Sequence, residues 1–500
     1  MKLFAIGVGG SGAKCLEAAI HLHTMGLLDR EGSPPTELGV LFVEPDRQSA
    51  LLQRAQTALG RTQSLRKVLD GVTQHFCHGG ELKDYGVWNP VESVAGQGSL
   101  TMAQIYTKQT LQHKSPALGG LMDCLFTQEE QTLDLREGFR GRPPIGSALM
   151  SAVALDDATH AKTWGQFLGD VRQAAKEGED VRIHLFGSVF GGTGASGVPT
   201  VGCLLRSWLQ KQGIQRAPLN ASLLLPYFNF KDQGAKDTGL YAEASNFQLN
   251  TGAALQYLSQ EGNQDFDRVY LLGSDAKVAY GFSIGGASQA NGAHLVELLA
   301  VLGLRNSLGE TGQADAAYTL SRHNQSSVNW SDLPDSALTQ RALGRGARLA
   351  VVWRNNISLD LEAANGQSLK RFCVGAPWAT RFYTSSSEEA STLGSRKDKD
   401  ARLAADQWSE ALLTWLKQLC SSTGGALEQK LLNPVKLDVQ PTHLESLGDL
   451  VYSNDSGPAH KWETDVEYLK IQLDKRRAGG FNSQGTAGLL DTLWELCDQP

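Results

Sequence analysis

The chain has 500 residues, 41% of them hydrophobic and 20% charged, a composition that suits a globular protein with room for roughly two to four domains. Its net charge of −7 argues against a general nucleic-acid binder. No run of about 18 apolar residues occurs, so no membrane span is expected, and seven scattered cysteines suit reduced thiols in the cytoplasm.

The first apolar run, Leu3–Ile6, reads as a strand and gives way at once to Gly7-Val8-Gly9-Gly10-Ser11-Gly12, so no secretory leader is expected. A helical pattern follows over Ala13–Met25. The next strand, Gly39–Val43, ends on Glu44 and leads into a helix over Gln48–Ala58. Residues from about 55 to 135, with Gly79-Gly80 and Gly96-Gln97-Gly98-Ser99, break the alternation and read as an inserted excursion. Ile183–Phe186 is a strand running into Gly191-Gly192-Thr193-Gly194-Ala195-Ser196-Gly197. Ala221–Leu225 and Arg268–Leu272 are further strands, with a helix over Tyr241–Ser259 between them. A long helix is expected around Ala290–Leu308, where Leu295, Leu298, Leu299 and Leu302 fall at i, i+3, i+4 and i+7. A second strand-helix region begins near Arg348–Trp353, Ser385–Asp400 reads as a mobile charged loop, and Leu489–Leu496 as an amphipathic helix packed on the core. Strands alternating with helices predict an α/β fold with a parallel sheet covered on both faces, and ligands at the C-terminal strand ends.

Both glycine loops fall at such ends. Glycine lets backbone approach an anion closely, and a helix N-terminus directs free N–H groups at it. Gly7-x-Gly9-x-x-Gly12 with Glu44 fits a dinucleotide fingerprint, and equally a tight strand-to-helix turn. It is not a Walker loop, because Lys14 stands one place too late after Gly12 and no Ser or Thr follows it. Two such loops in one chain suggest a single polyphosphate held between them. The run His75-Phe76-Cys77-His78 lacks the spacing of a structural metal site.

The segment Gly191–Pro199 resembles the signature loop of the tubulin and bacterial FtsZ superfamily, with Phe190 in place of its first glycine and one small residue shifted. Other landmarks follow in the family's order. Gly7–Gly12 is similar to the first phosphate loop, Val43–Leu51 to the second, and Gly141-Arg142-Pro143-Pro144-Ile145-Gly146 to the third, γ-phosphate-sensing loop. Leu225–Phe230 resembles the strand end on the sugar side, the helix from Asn291 the central helix, and Trp330–Asp335 the acidic loop after it. The resemblance covers about residues 1–355. Departures are Lys14 where bacterial members carry asparagine, the long excursion, Arg140 and Arg142 in the third loop, and residues 360–500, which resemble nothing placed.

The resemblance implies a parallel-sheet nucleotide-binding domain over 1–290, a central helix over 291–310 and a second α+β domain over 311–500. It implies a GTPase that binds GTP or GDP with Mg²⁺ and assembles head to tail. Gly7, Gly9, Gly10, Ser11, Gly12, Gly191, Gly192, Thr193, Gly194, Ala195 and Ser196 would hold phosphates, and Arg142 would pair with the γ-phosphate. Asn291 would meet the purine edge, or cap the helix; Asp46 is a candidate to hold Mg²⁺ through water, and no protein metal-ligand set is expected. Asp332 and Asp335 would orient the attacking water in the next subunit, or Asp332 would cap a helix after Trp330, with Pro334 in its first turn. Partners would be other copies of the chain, and a protein bound through 55–135 or the C-terminal region. Two alternatives stand beside this: a non-polymerising GTP- or ATP-binding switch or scaffold, and a Rossmann-type NAD or FAD oxidoreductase, against which the second glycine loop speaks.

Overall fold

Six strands form one parallel sheet in a computed structural model: β1 (Lys2–Val8), β2 (Glu37–Val43), β3 (Leu82–Trp88), β4 (Val181–Ser188), β5 (Leu219–Leu224) and β6 (Arg268–Leu272). The structure describes residues 1–70, 73, 75–77, 79–95, 100–156, 160–230, 246–260, 264–274, 277–281, 286–289, 291–309, 326–364, 368–383, 393–422, 427–438, 442–453, 465–475 and 485–498. Spatial order is β3-β2-β1-β4-β5-β6, the doubly wound arrangement that reverses direction next to the first strand. Strands β1, β2, β4 and β5 are buried on both faces, which is why they are written as near-continuous apolar runs. Their register aligns the ends: Val8 lies beside Val43 on one side and Gly187 on the other, so the loops after β1, β2 and β4 leave from one edge.

One face of the sheet carries α1 (Gly9–Thr24), α2 (Ala50–Leu69) and the central helix α5 (Leu295–Ser307); the other carries α3 (Pro143–Ser151), a helix over Gln166–Lys176 and α4 (Gly192–Lys211). The C-terminal region packs on the first face through α6 (Ser336–Val352), α7 (Arg396–Ser421) and α8 (Gly485–Leu496), in one continuous apolar cluster with α1 and α2. Short parallel pairs, Phe228–Phe230 with Val278–Tyr280 and Ser327–Asn329 with Glu428–Lys430, complete the described strands. Among the described residues no helix is long and apolar enough to cross a membrane.

Several expectations change. The excursion is shorter than 55–135, because α2 runs on to Leu69 and Leu82–Trp88 is an edge strand of the main sheet. A bulge against β2 between Val40 and Phe42 and a left-handed Gly86 (φ +81°) hide that strand from a sequence reading, because both break the period-two pattern. Arg348–Trp353 is helical rather than a strand, the last turn of α6 with Trp353 continuing into a wider helical turn over Trp353–Ile357, since a short apolar run does not distinguish the two. Arg396–Asp400 is the first turn of α7, capped by the Ser395 hydroxyl, which accepts from the Asp398 amide at 3.2 Å; residues 385–392 lie outside the described set. So do Gly96–Ser99, His78, Ala290 and the first residues of the helix expected from Tyr241, whose described part is Phe247–Gln260. Helix α8 buries Leu489, Leu490, Leu493 and Trp494 against the core, as its stripe implies.

Four buried histidines, His21, His23, His184 and His294, are pulled down to about 3, by burial above all. His184 is held on β4 with Nε2 2.8 Å from Ser222 Oγ. Between about pH 6.5 and 3 the unfolded chain takes up protons that the folded chain refuses, so stability falls as pH falls through that window. Urea midpoints should therefore drop between pH 7 and 5. His184→Gln, which removes one such site, should lessen that slope by up to about 1.4 kcal/mol per pH unit; an unchanged slope would contradict the assignment.

Candidate functional site

A cleft of about 950 Å³, counting its open mouth, lies at the C-terminal edge of β1, β2 and β4. Two helices begin on it. Helix α1 starts at Gly9 behind Val8, and α4 starts at Gly192 behind Gly191; neither N-terminus has a side-chain cap. The first four N–H groups of a helix have no partner within it, and valine or glycine at the cap position cannot supply one. The two ends touch: a Cβ on Gly9 (φ +73°) would lie 3.1 Å from Thr193 Cβ and 3.3 Å from the Gly194 nitrogen. Two uncapped positive helix ends against each other form a cradle for an anion with several charges.

The expected phosphate residues divide into two shells. Gly9, Gly10, Ser11, Gly191, Gly192, Thr193 and Gly194 line the cleft. Gly7, Gly12, Ala195 and Ser196 do not. Gly7 and Gly12 let α1 press on the sheet, since a Cβ on Gly12 would sit 2.6 Å from the Phe186 carbonyl oxygen. Ser196 turns inward and donates to the Gly192 carbonyl at 2.7 Å. Gly191 has the most room: a Cβ there would have only Ser188 Oγ close by, at 3.1 Å.

Asp46 and Glu44 form the β2 wall. Asp46 is already engaged, accepting from the Gln48 amide at 2.9 Å and the Gly286 amide at 2.7 Å. Burial pushes the Glu44 carboxyl up to about 8, opposed by the Asp46 amide and helped by the Asp46 charge. In the third loop the arginine on the cleft is Arg140, not Arg142. Arg140 has a left-handed φ of +42° and pairs with Glu137, which also lines the cleft. Arg142 precedes α3 and directs its guanidinium towards Glu130, at 3.8 Å.

Asn291 is buried and lines the cleft, but it does not start the central helix. Helix α5 begins at Leu295, capped by His294, whose Nδ1 accepts from the Val296 amide at 3.1 Å. Beside Asn291 stands a wall that sequence reasoning valued only in part: Phe190, Tyr227, Phe228, Phe230 and Phe247, with Phe190 and Phe247 rings 4.8 Å apart. Lys14 also borders the cleft, fully buried and paired with Glu297, which accepts from the Tyr227 hydroxyl at 2.7 Å. Burial draws the Lys14 ammonium down while Glu297 holds it up. The signal for this set is Lys14 itself, a lysine in the first turns of a helix that is buried over most of its length.

Asp332 and Asp335 lie away from the cleft. Asp332 closes a turn over Trp330–Asp332, accepting from the Asn329 amide at 2.9 Å. Asp335 (φ +48°) accepts from Arg305 Nε at 2.9 Å, at the far end of α5. That end lies at the N-terminal edge of the sheet, where Arg182 of β4 donates to the Ser307 carbonyl at 3.1 Å. His75 pairs with Glu495 at 3.2 Å, and among the described residues no group of three or more His, Cys, Asp or Glu could hold a metal.

No family model matches the sequence, and no curated protein matches it. Solved structures do, and two CetZ proteins are among them. One is CetZ1 from Haloferax volcanii, a GDP-bound monomer, 14% identical over 55% of this chain and 52% of that chain, with a TM-score of 0.27. The other is CetZ from Methanosaeta thermophila strain DSM 6194, 13% identical over 55% of this chain and 46% of that one, with a TM-score of 0.22. The chain thus spans about half the length of each.

Gly191→Val places a branched side chain in the cradle, its Cβ close only to Ser188 Oγ. It should weaken binding of a polyphosphate ligand roughly 10- to 100-fold, the loss of one to two contacts at about 1.4 kcal/mol per decade, with the circular dichroism unchanged. Unaltered affinity, measured by calorimetry with GTP and with tripolyphosphate, would remove this loop from the site.

Proposed function

We propose that the chain is a tubulin/FtsZ-like nucleotide-binding protein, a GTPase whose cleft takes GTP or GDP with Mg²⁺. The observation that carries this reading is the contact between two uncapped helix N-termini, at Gly9 and Thr193, on one cleft. In this reading the phosphates lie on the amides of Gly9–Ser11 and Gly191–Gly194, with the Thr193 hydroxyl as a further donor. The aromatic wall and the Asn291 amide receive the base, whose edge needs both a donor and an acceptor. Asp46 holds Mg²⁺ through water, each oxygen keeping a lone pair beyond its backbone contact. Arg140 takes the γ-phosphate role expected of Arg142, exchanging Glu137 for the anion. The buried Glu44, favoured in its neutral form, is a poor acceptor for a ribose diol, which weighs against the oxidoreductase alternative.

Hydrolysis requires a water held in line with the γ-phosphate, a task that a carboxylate can perform. Asp332 and Asp335 stand at the end of α5 remote from the cleft, and 13 residues at about 1.5 Å each separate the two ends of that helix by roughly 20 Å. They can act only on the nucleotide of another protomer. Such head-to-tail contacts are heterologous and propagate unless they close. A second reading, a switch or scaffold that does not polymerise, draws on the Arg305–Asp335 ion pair, which occupies one of the two carboxylates within its own subunit.

Specific GTPase activity should rise with protein concentration. Asp332→Ala and Asp335→Ala should bind GTP and assemble with wild-type affinity, and turn over at least tenfold more slowly. Equal specific rates in dilute and concentrated protein would favour the switch. Arg140→Ala should weaken GTP more than GDP, by about tenfold at a charge-assisted contact, whereas Arg142→Ala should change neither; the opposite pattern would return the role to Arg142.

A further inference from the structure

The cleft wall at Asn291 belongs to a stretch, Asn291–His294, that has no secondary structure of its own. Buried backbone groups in such a stretch must find partners elsewhere. Two of them, and the first amide of α5, find theirs at a distance. The Asn291 carbonyl accepts from Arg54 Nη1 of α2 at 3.0 Å. The Ala293 amide donates to Gln418 Oε1 at 3.0 Å, and the Leu295 amide donates to Ser422 Oγ at 3.3 Å. Gln418 Oε1 also accepts from Arg54 Nη1 at 3.2 Å, so one side-chain oxygen joins the two anchors. The stem of Gln418 lies along Gly292, where a Cβ would be 3.6 Å from its carbons. Arg54 is in turn held by Glu17 of α1, Nε to Oε2 at 2.8 Å.

Gln418 is in the last turn of α7 and Ser422 just beyond it, yet no residue of α7 lines the cleft. The same helix is tied along its length to α2, where Arg61 donates to the Gln407 carbonyl at 3.2 Å. At its other end Asp398 accepts from the Thr486 hydroxyl of α8 at 2.7 Å. A helix of 26 residues, about 39 Å at 1.5 Å per residue, thus has the base wall of the cleft at one end and the C-terminal helix at the other.

We infer that Gln418 is a positioning residue that sets Asn291 against a bound base and couples occupancy of the cleft to the C-terminal helices. The inference rests on the nucleotide reading of the cleft. A carboxamide oxygen that accepts from both Arg54 and the Ala293 amide fixes the backbone from which the Asn291 side chain projects, and a misplaced donor–acceptor pair loses the base edge without touching the phosphate cradle. Coupling of this kind is reciprocal: a ligand that needs Asn291 in place also stabilises the end of α7.

The test uses the full-length protein and two variants. Gln418→Met keeps length and shape but removes the acceptor; Gln418→Glu keeps the acceptor beside Arg54. Gln418→Met should bind GTP about 5- to 20-fold more weakly and discriminate less between GTP and ATP, while its affinity for tripolyphosphate stays within about twofold of wild type. Gln418→Glu should restore GTP binding. Amide hydrogen exchange over residues 410–422 should slow on adding GTP in the wild type and not in Gln418→Met. Unchanged GTP affinity in a folded Gln418→Met protein would overturn the inference, as would equal losses for GTP and tripolyphosphate, which mark general loosening. Should Gln418→Met fail to fold, Ser422→Ala, which removes the Leu295 anchor together with the hydroxyl's bond to the Leu419 carbonyl, carries the same comparison of GTP with tripolyphosphate at the neighbouring anchor. Wild-type protein that binds no nucleotide would refute the reading of the cleft itself; nucleotide binding with unaltered exchange over 410–422 would refute the coupling alone.

Discussion

The closeness with which α1 packs on the sheet governs the rest of the molecule. At Gly12 no side chain fits between the helix and the Phe186 carbonyl of β4, so α1 descends directly from the end of β1. Because β1 and β4 are neighbours in register, α4 begins beside it, and the two helix N-termini meet at Gly9 and Thr193. Their unpaired amides are costly to bury without a partner and attractive to an anion. The cleft follows from this single constraint. Its other walls are what the neighbouring strand ends deliver: carboxylates from β2, aromatic rings after β5, and Asn291 ahead of α5.

That geometry gives the protomer two unlike ends. The cleft lies at one edge of the sheet, and the turn bearing Asp332 and Asp335 at the other, with α5 between them. On the proposed reading, in which Asp332 and Asp335 orient water, that separation is why the chemistry would be shared between subunits. The C-terminal region is not a separate body in this arrangement. It shares one apolar cluster with α1 and α2, and its long helix α7 reaches the backbone beside the cleft through Gln418.

Much of the nucleotide-binding half is legible in the sequence because its signals are local. Leu3–Ile6, Gly39–Val43 and Ile183–Phe186 are short apolar runs ending in glycine or polar residues, and the glycine loops are contiguous. What escapes a sequence reading depends on distant partners. The edge strand Leu82–Trp88 carries a bulge that erases alternation. Asparagine favours caps, which points to Asn291 as the start of α5, yet the cap is His294, whose Glu297 completes a capping box. Arg140 and Arg142 are indistinguishable as sequence; a left-handed backbone at Arg140 turns one into the cleft and leaves the other outside. Lys14 could not be paired with Glu297 across 283 positions by any local rule. The C-terminal helices are amphipathic and readable as such where capping is clear, but an apolar run such as Leu349–Val352 reads equally as strand or helix until its packing is known.

The central claim is that the cradle between Gly9–Ser11 and Gly191–Gly194 holds a nucleotide polyphosphate. The most direct measurement is to purify the protein without added nucleotide, denature it, and identify by chromatography and mass spectrometry what is released. The account predicts guanine nucleotide, GDP with or without GTP, in an amount approaching one per chain, and rebinding of GTP to the emptied protein. Release of flavin or nicotinamide instead, or an emptied protein that binds neither GTP, GDP nor ATP, would contradict it.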